Sequence, residues 1–426
     1  MDLKRFGKHL LTVEIFLFSA FVAGSLVTQR LFPWTILVGI VFMGIRWGIR
    51  GRMTVPTPVD MGVLGLLLMI PISLAVTPLP EQTRTQAMRL VISILFFYAI
   101  VNWAQTQDRL RLAVLGVILA GAGISLFALV SVEWQTQKLY FLPSFIYDRF
   151  SILVKDTSHS NVMGGNVALL LLFGPLLLLF AWRELALWRK MAYGVVFLFT
   201  AGVLILTQSR GALIGVMAVI PLVVTLRWRR GWIILPTLSL ILGGAIAHWG
   251  LAEILDWASA NVKVGGIQGR IEIWSRGVSM IRDFPLTGIG MGTFPDVAEV
   301  LYPFESFPDW RVPHVHNLVL QVGVDVGVPG LIAWGAILLG VSYASFRVYL
   351  HGRQQSDAWI SGLGCALLSS QAVLLIHGIV DDVTWGVRPE PILWGIWGVA
   401  IAAFRLYIDP QDDLFLPENE KGTLDD

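Results

Sequence analysis

Runs of about twenty apolar residues recur along this chain, and they leave few folds open to it. A backbone in hydrocarbon has no water to bond with, so every N–H and C=O must be satisfied internally, which restricts spanning structures to helices and closed barrels. The apolar runs fall near residues 10–28, 32–48, 60–78, 88–104, 112–132, 162–181, 191–208, 212–226, 232–249, 317–346, 358–378 and 391–405. They lack the in–out alternation of a lipid-facing barrel strand. The expected fold is therefore an all-α integral membrane protein with about 12 transmembrane helices. Only 14% of residues are charged, against about 25% in soluble domains. The net charge of +2 offers nothing for a nucleic acid to hold.

The opening stretch "MDLKRFGKHLLTVEIFLFSAFVAGSL" has the basic start and apolar middle of a signal peptide. Its apolar part is long enough to span and further spans follow, so it reads as an uncleaved first helix. Glu14, inside it, is expected to face the bundle interior. The single cysteine, Cys365, cannot form an intrachain disulfide and reads as a small buried hydrophobe.

Basic residues in the connections set the orientation. With the amino terminus in the cytoplasm, the inner side receives Lys4, Arg5 and Lys8, then Arg46, Arg50 and Arg52, and later Arg183, Arg189, Lys190, Arg227, Arg229 and Arg230. The short outer loops hold Arg30, Arg84, Arg89 and Arg388. Both termini come out cytoplasmic. The division is a polytopic membrane domain, 1–408, and a disordered acidic cytoplasmic tail, 409–426. Two outer segments are long: 133–161, with "LPSFIY", and 251–315 between the ninth and tenth helices, with Lys263, Arg270, Arg276, Arg282 and Arg311. Long loops escape the charge rule.

Within the second segment, "GRIEIWSRGVSMIRDFPLTGIGMGTF" reads as a short helix stopped by Pro285. Ile271, Trp274, Val278 and Ile281 form an apolar stripe opposite Glu272, Arg276, Ser279 and Asp283, which suits a helix at the membrane surface. Gly288, Gly290 and Gly292 suggest a tight turn or close backbone approach, not a dinucleotide fingerprint. "TQSRGALIG" puts Arg210 at the outer end of the seventh span, where an arginine can simply snorkel. "VPHVHNLVL" places His314 and His316 at the threshold of the tenth helix, with Asn317 beside them. Both rings fall on one side of an extended segment, yet no third metal ligand lies near in sequence, and catalytic zinc normally has three. A zinc site is therefore the weaker reading beside helix entry and general-base chemistry, the last because imidazole titrates near neutral pH.

The segment His316–Asn317, nine residues, Gly327, two residues, Gly330 resembles the signature of the O-antigen ligase superfamily. "SRGALIG", "DFPLTGIGMGTF" and "HGIVDD" also resemble that family, in its order. The resemblance implies a membrane-embedded, metal-independent, inverting glycosyltransferase: a ligase or a repeat-unit polymerase of lipid-linked glycans. Its donor would be an undecaprenyl-diphosphate-linked glycan and its acceptor a hydroxyl of a lipid-linked saccharide, within membrane lipid and with no metal cofactor. It implies a bacterial inner (plasma) membrane location with an extracytoplasmic active site. By the resemblance, His316 is the base and Arg210 and Arg270 hold the diphosphate. Asp381, Asp382, Arg388, His314, Asn317 and Arg276 are possible supports. His377 has no assigned role. Trp385, Trp394 and Trp397 are read as interface anchors. A small-anion (inorganic carbon) transporter, the alternative of another class that the resemblance also implies, would carry charges near the midplane. This chain has no fixed-period repeat and keeps its ionisable residues at helix ends, Glu14 excepted, which argues against one.

Overall fold

The computed structural model describes residues 3–134, 142–150, 152–153, 158–228, 230–250, 267–306 and 311–410. Lys263, Arg229 and the tail beyond Pro410 lie outside the described residues. Helices stand at all twelve places the apolar runs marked: α1 (Leu3–Val27), α2 (Phe32–Arg50), α3 (Asp60–Val76), α4 (Pro80–Trp103), α5 (Gln107–Ser131), α6 and α7 (Ser160–Leu171 and Phe173–Ala181, together one span), α8 (Leu187–Leu206), α9 (Arg210–Arg227) and α10 (Ile234–Trp249). Two short helices of the long loop follow, α11 (Ile267–Asp283) and α12 (Phe294–Leu301), and then α13 (Leu318–Gln354), α14 (Ala358–Gly378) and α15 (Glu390–Tyr407). Ten of these segments are long and apolar enough to cross a membrane, whereas α3, with 17 residues, and α15 fall short of that measure. Among the described residues the strand content is one two-residue parallel pairing, Val132–Glu133 with Ser158–His159.

The most buried spans are α4, α6–α7 and α14, and they pack with α13 and α15 into one apolar core. Trp394 and Trp397 lie fully inside it. Trp397 donates its indole N–H to Gln371 (3.1 Å) and Trp385 donates to Asp325 (2.9 Å). The expected interface anchors are thus core residues whose N–H groups have partners, as buried indoles require. Cys365 is buried as well. Glu14 does face inward, where it forms a buried ion pair with Arg46.

Ionisable groups inside the bundle go further than the sequence reading allowed. Arg89 on α4 and Asp325 on α13 are both buried, several residues from their helix starts. Each is tied down, Arg89 by Gln86 and the Gly386 carbonyl (2.5 Å each) and Asp325 by Trp385 and Gln321. They brace the loop between α14 and α15.

The long loop forms its own small core from Ile273, Met280, Phe294, Val297, Val312 and Val315, among others. This shifts the stripe of α11: Ile273, Gly277 and Met280 are buried, whereas Ile271 is 55% exposed. The helix packs on protein with that face, because Gly277 lets Val315 approach to where a Cβ would stand 2.8 Å away. Helix α11 ends at Asp283, ahead of Pro285. Gly288, Gly290 and Gly292 all have positive φ (65°, 99° and 77°) and press on Asp325, Thr77 and Gln86. They form a hairpin wedged between α3, α4 and α13.

That wedge meets a break in α13. Gly327 has φ 68° and ψ −176°, a region essentially closed to residues with a Cβ. The Pro285 carbonyl accepts from Val328 N–H (2.7 Å) and would lie 2.8 Å from an added Cβ at Gly327. Gly327→Ala is therefore expected to destabilise the fold by at least ~1–3 kcal/mol. Thermal unfolding of the purified protein would read this as a clear fall in Tm, and an unchanged midpoint would refute it.

Candidate active site

Loop segments and the starts of α6, α9 and α13 converge at one end of the bundle. The segment 311–317 is held extended by Val312 and Val315, which point into the loop core, and the Gln321 side chain accepts Val315 N–H (2.8 Å). Asn317 then starts α13: its Oδ1 accepts from Leu320 N–H and its Nδ2 donates to the Ile379 carbonyl, both at 3.0 Å. This N-cap also ties α13 to the end of α14. His316 sits between with φ 53°, a left-handed conformation that costs a non-glycine residue about 1–3 kcal/mol. The Trp274 indole donates to its carbonyl (3.1 Å) and its own N–H donates to His314 Nδ1 (3.2 Å).

Asp381 is the hub. It is 2% exposed, and its Oδ1 lies 3.0 Å from His316 Nδ1 and 3.5 Å from His314 Nε2. Its Oδ2 accepts from Asn161 Nδ2 (2.9 Å). The two histidine rings are 4.1 Å apart. Burial alone would raise the Asp381 carboxyl, but the His316 hydrogen bond and the nearby histidines outweigh it and hold the group well below its ordinary range. Asp381 is thus a carboxylate, which only accepts hydrogen bonds. The proton of a neutral His316 then belongs on Nδ1, and Nε2 keeps its lone pair. His314 differs: burial, then the neighbouring His316, pushes its pKa down to about 3. With Nδ1 accepting from the backbone, neutral His314 carries its hydrogen on Nε2, toward Asp381.

Asp382 does something else. Its Oδ1 accepts from the N–H groups of Trp385 (3.1 Å) and Thr384 (3.4 Å), closing the turn after Asp381. Burial pushes its pKa well up, and the charges of Asp325 and Asp381 add to this. The two adjacent aspartates, indistinguishable in sequence, have different surroundings and opposite shifts.

The arginines fall as follows. Arg270, half-buried on α11, is close enough for its charge to act on His314, His377 and Asp381. Burial lowers its pKa and the Asp381 charge opposes that. Arg210 is the first residue of α9, capped by Ser209, and not the end of the seventh span. Next to it, Gly211 is packed so closely on His377 that a Cβ would come within 2.6 Å of the ring. Gln208, with φ 51°, turns the chain into that helix, and its side chain donates to the Tyr147 hydroxyl (2.7 Å) of "LPSFIY". Arg276 lies apart, between Glu272 (3.7 Å) and Glu305 (3.5 Å). Arg388 is close to Arg89, and their charges repel.

Sequence reasoning missed Asn161, Asn166 and Asp325, and named His377 without a role. Asn166 donates to the Val383 carbonyl (2.7 Å) and fixes the loop that presents Asp381. Asparagines at the head of an apolar helix were a visible signal. His377 was visible too, but only its packing against Gly165 and Gly211 gives it a place. The site also supplies the third ligand that the sequence lacked: nitrogens of His314 and His316 and an oxygen of Asp381 lie within 4.8 Å of one another, close enough to hold a metal ion.

A histidine–carboxylate pair and arginines thus lie together at one end of a helical membrane protein. Residues 195–335, which include Arg210, Arg270, His314 and His316, match the family model of the O-antigen ligase. That third of the chain is similar to the O-antigen ligase family, whose members are membrane glycosyltransferase-like enzymes with lipid-linked glycan substrates. No curated protein matches the chain.

Proposed function

We propose that this protein transfers a glycan from undecaprenyl diphosphate to a hydroxyl of a lipid-linked saccharide, as a ligase. A repeat-unit polymerase would use the same chemistry and differ in acceptor. The observation that carries the reading is the His316–Asp381 pair, in which Nδ1 faces the carboxylate at 3.0 Å and Nε2 is the ring nitrogen left for an acceptor hydroxyl. In the reaction the acceptor oxygen attacks the anomeric carbon of the donor sugar and its proton passes to His316 Nε2. The bond from that carbon to the diphosphate oxygen breaks with inversion, and undecaprenyl diphosphate departs with the electron pair. Arg210 and Arg270 supply the counter-charge. A guanidinium keeps its proton and grips phosphate oxygens in a bidentate fork, and such fixed charges stabilise a developing anion without a metal. The start of α9 at Arg210 also brings a helix amino terminus to the site, which favours negative charge. In this reading the site is extracytoplasmic and both termini are cytoplasmic in a bacterial inner membrane, as the basic-residue bias favours.

Purified protein incubated with undecaprenyl-diphosphate glycan and a panel of lipid-linked acceptors should release undecaprenyl diphosphate and yield a product heavier by the glycan. Mass analysis of the product checks this and separates ligase from polymerase by the acceptor used. The same turnover is expected with a metal chelator present. Activity lost in chelator and regained with a divalent cation would show instead that His314, His316 and Asp381 hold a required metal.

A further inference from the structure

Two imidazole nitrogens are aimed at a single carboxylate oxygen. His316 Nδ1 lies 3.0 Å from Asp381 Oδ1, and His314 Nε2 lies 3.5 Å from the same atom. Ligand atoms of the three residues all fall within 4.8 Å of one another. A tetrahedral ion with bonds of ~2.0–2.1 Å holds its ligand atoms ~3.3–3.4 Å apart, and the two measured distances bracket that spacing. The carboxylate is fixed from behind, because Oδ2 accepts from Asn161 Nδ2 (2.9 Å). Outer bonds of this kind orient the ligands of metal sites. Oδ1 keeps one bond from the Asp382 N–H (3.1 Å) and has a second lone pair for an ion. The Asp381 side chain is 3% exposed, whereas those of His314 and His316 are 20% and 14% exposed. The group is therefore open on its histidine side, where an ion can enter and water can complete its shell.

The donor set selects the ion. Two imidazoles and one carboxylate suit zinc and its neighbours nickel and copper, whereas magnesium and calcium take shells of oxygen. The Asp381 charge attracts a cation, and Arg270, whose charge reaches Asp381, opposes it. Binding would rearrange both rings. A neutral imidazole held through one nitrogen carries its hydrogen on the other. An ion on His316 Nδ1 therefore moves the ring hydrogen to Nε2, the atom that has to take the acceptor's proton. His314, held through Nε2, carries its hydrogen on Nδ1, so the bond from the His316 N–H (3.2 Å) is lost. Neither ring gains or loses a proton overall, yet the base is gone.

We propose that His314, His316 and Asp381 form a zinc-type site whose occupation switches transfer off; the inhibition, though not the binding, rests on the function proposed above. The ion acts by holding His316 in the tautomer without a basic Nε2. Its effect falls on turnover and spares the arginines that hold the donor, as loss of a group acting only in the transition state does. A required ion and an inhibiting one at these ligands carry opposite expectations: the first raises turnover and the second ends it.

The test uses the full-length protein in lipid nanodiscs, with free zinc set by a metal buffer. The tightest zinc ion should bind one per chain, and X-ray absorption should read two imidazoles among its ligands. His314→Gln and Asp381→Asn, each shown to be folded by its unfolding temperature, should weaken that binding at least about tenfold. Transfer by the wild type should fall by about 10²–10⁴-fold at saturating zinc, the size of a lost general base. The KM for the donor should stay unchanged, and a chelator should restore the full rate. Magnesium at the same concentration should have no effect. His314→Gln, whatever its own rate, should keep that rate at zinc concentrations that silence the wild type. Zinc held equally well by both ligand variants, or not held by the wild type, would overturn the site. Zinc bound there with turnover unchanged or raised would overturn the inhibition. A protein that transfers no glycan with or without zinc removes the proposed function, while zinc binding lost in the ligand variants still establishes the ion site.

Discussion

His316→Ala is expected to lower glycan transfer by about 10²–10⁴-fold while donor binding stays near wild type. A general base acts as the proton leaves the acceptor, so its removal costs the transition state and spares the bound donor. Arg270→Ala and Arg210→Ala should weaken both, because the diphosphate is charged before and during departure. Lysine at either position should restore part of the loss, keeping the charge without the fork. Binding of undecaprenyl diphosphate and single-turnover transfer, measured on the same preparations, separate the two patterns. Wild-type turnover in a folded His316→Ala protein would reduce His316 to a residue of helix entry. Donor binding lost as severely as in the arginine variants would move it to the diphosphate clamp.

Asp381→Asn should be nearly as damaging, with a loss of up to ~10⁴-fold in turnover. The order of magnitude is that of an aspartate-to-asparagine change that reverses the tautomer of a catalytic histidine. An amide offers a donor as well as an acceptor. With N–H turned to His316 Nδ1, the ring proton moves to Nε2 and the base is gone. Asp382→Asn should change turnover by a few-fold at most. Burial already favours the protonated form of Asp382, and an amide oxygen can still accept from Trp385 and Thr384. Steady-state rates of the two variants beside their unfolding temperatures decide this. Equal collapse of both at unchanged stability would contradict the division of labour between these neighbours.

The reach of the sequence follows from what each signal depends on. Hydrocarbon imposes its demand locally, residue by residue, so the positions of all twelve helical segments were legible. The glycines of "GIGMGTF" were legible for the same reason, since alternate glycines in a turn-rich segment already imply tight turns or close approach. The face of α11 was not. Its apolar residues fit more than one helical stripe, and only contact with Val315 chooses Ile273, Gly277 and Met280.

His316 could be singled out because histidine is costly at a membrane threshold and its surroundings matched a known signature. Its partner could not be derived that way. Asp381 and Asp382 are adjacent, equally acidic, and 65 and 66 positions from His316; which one faces the imidazole depends on how the turn after α14 folds. Asn317 bonded to Ile379, Asn161 to Asp381 and Asn166 to Val383 set that turn, and they come from two separate parts of the chain, α6 and the start of α13. The sequence by itself determined a helical membrane bundle and a histidine waiting at its edge. The tertiary structure decided which carboxylate holds that histidine, because hydrogen-bond geometry between distant segments has no local signature.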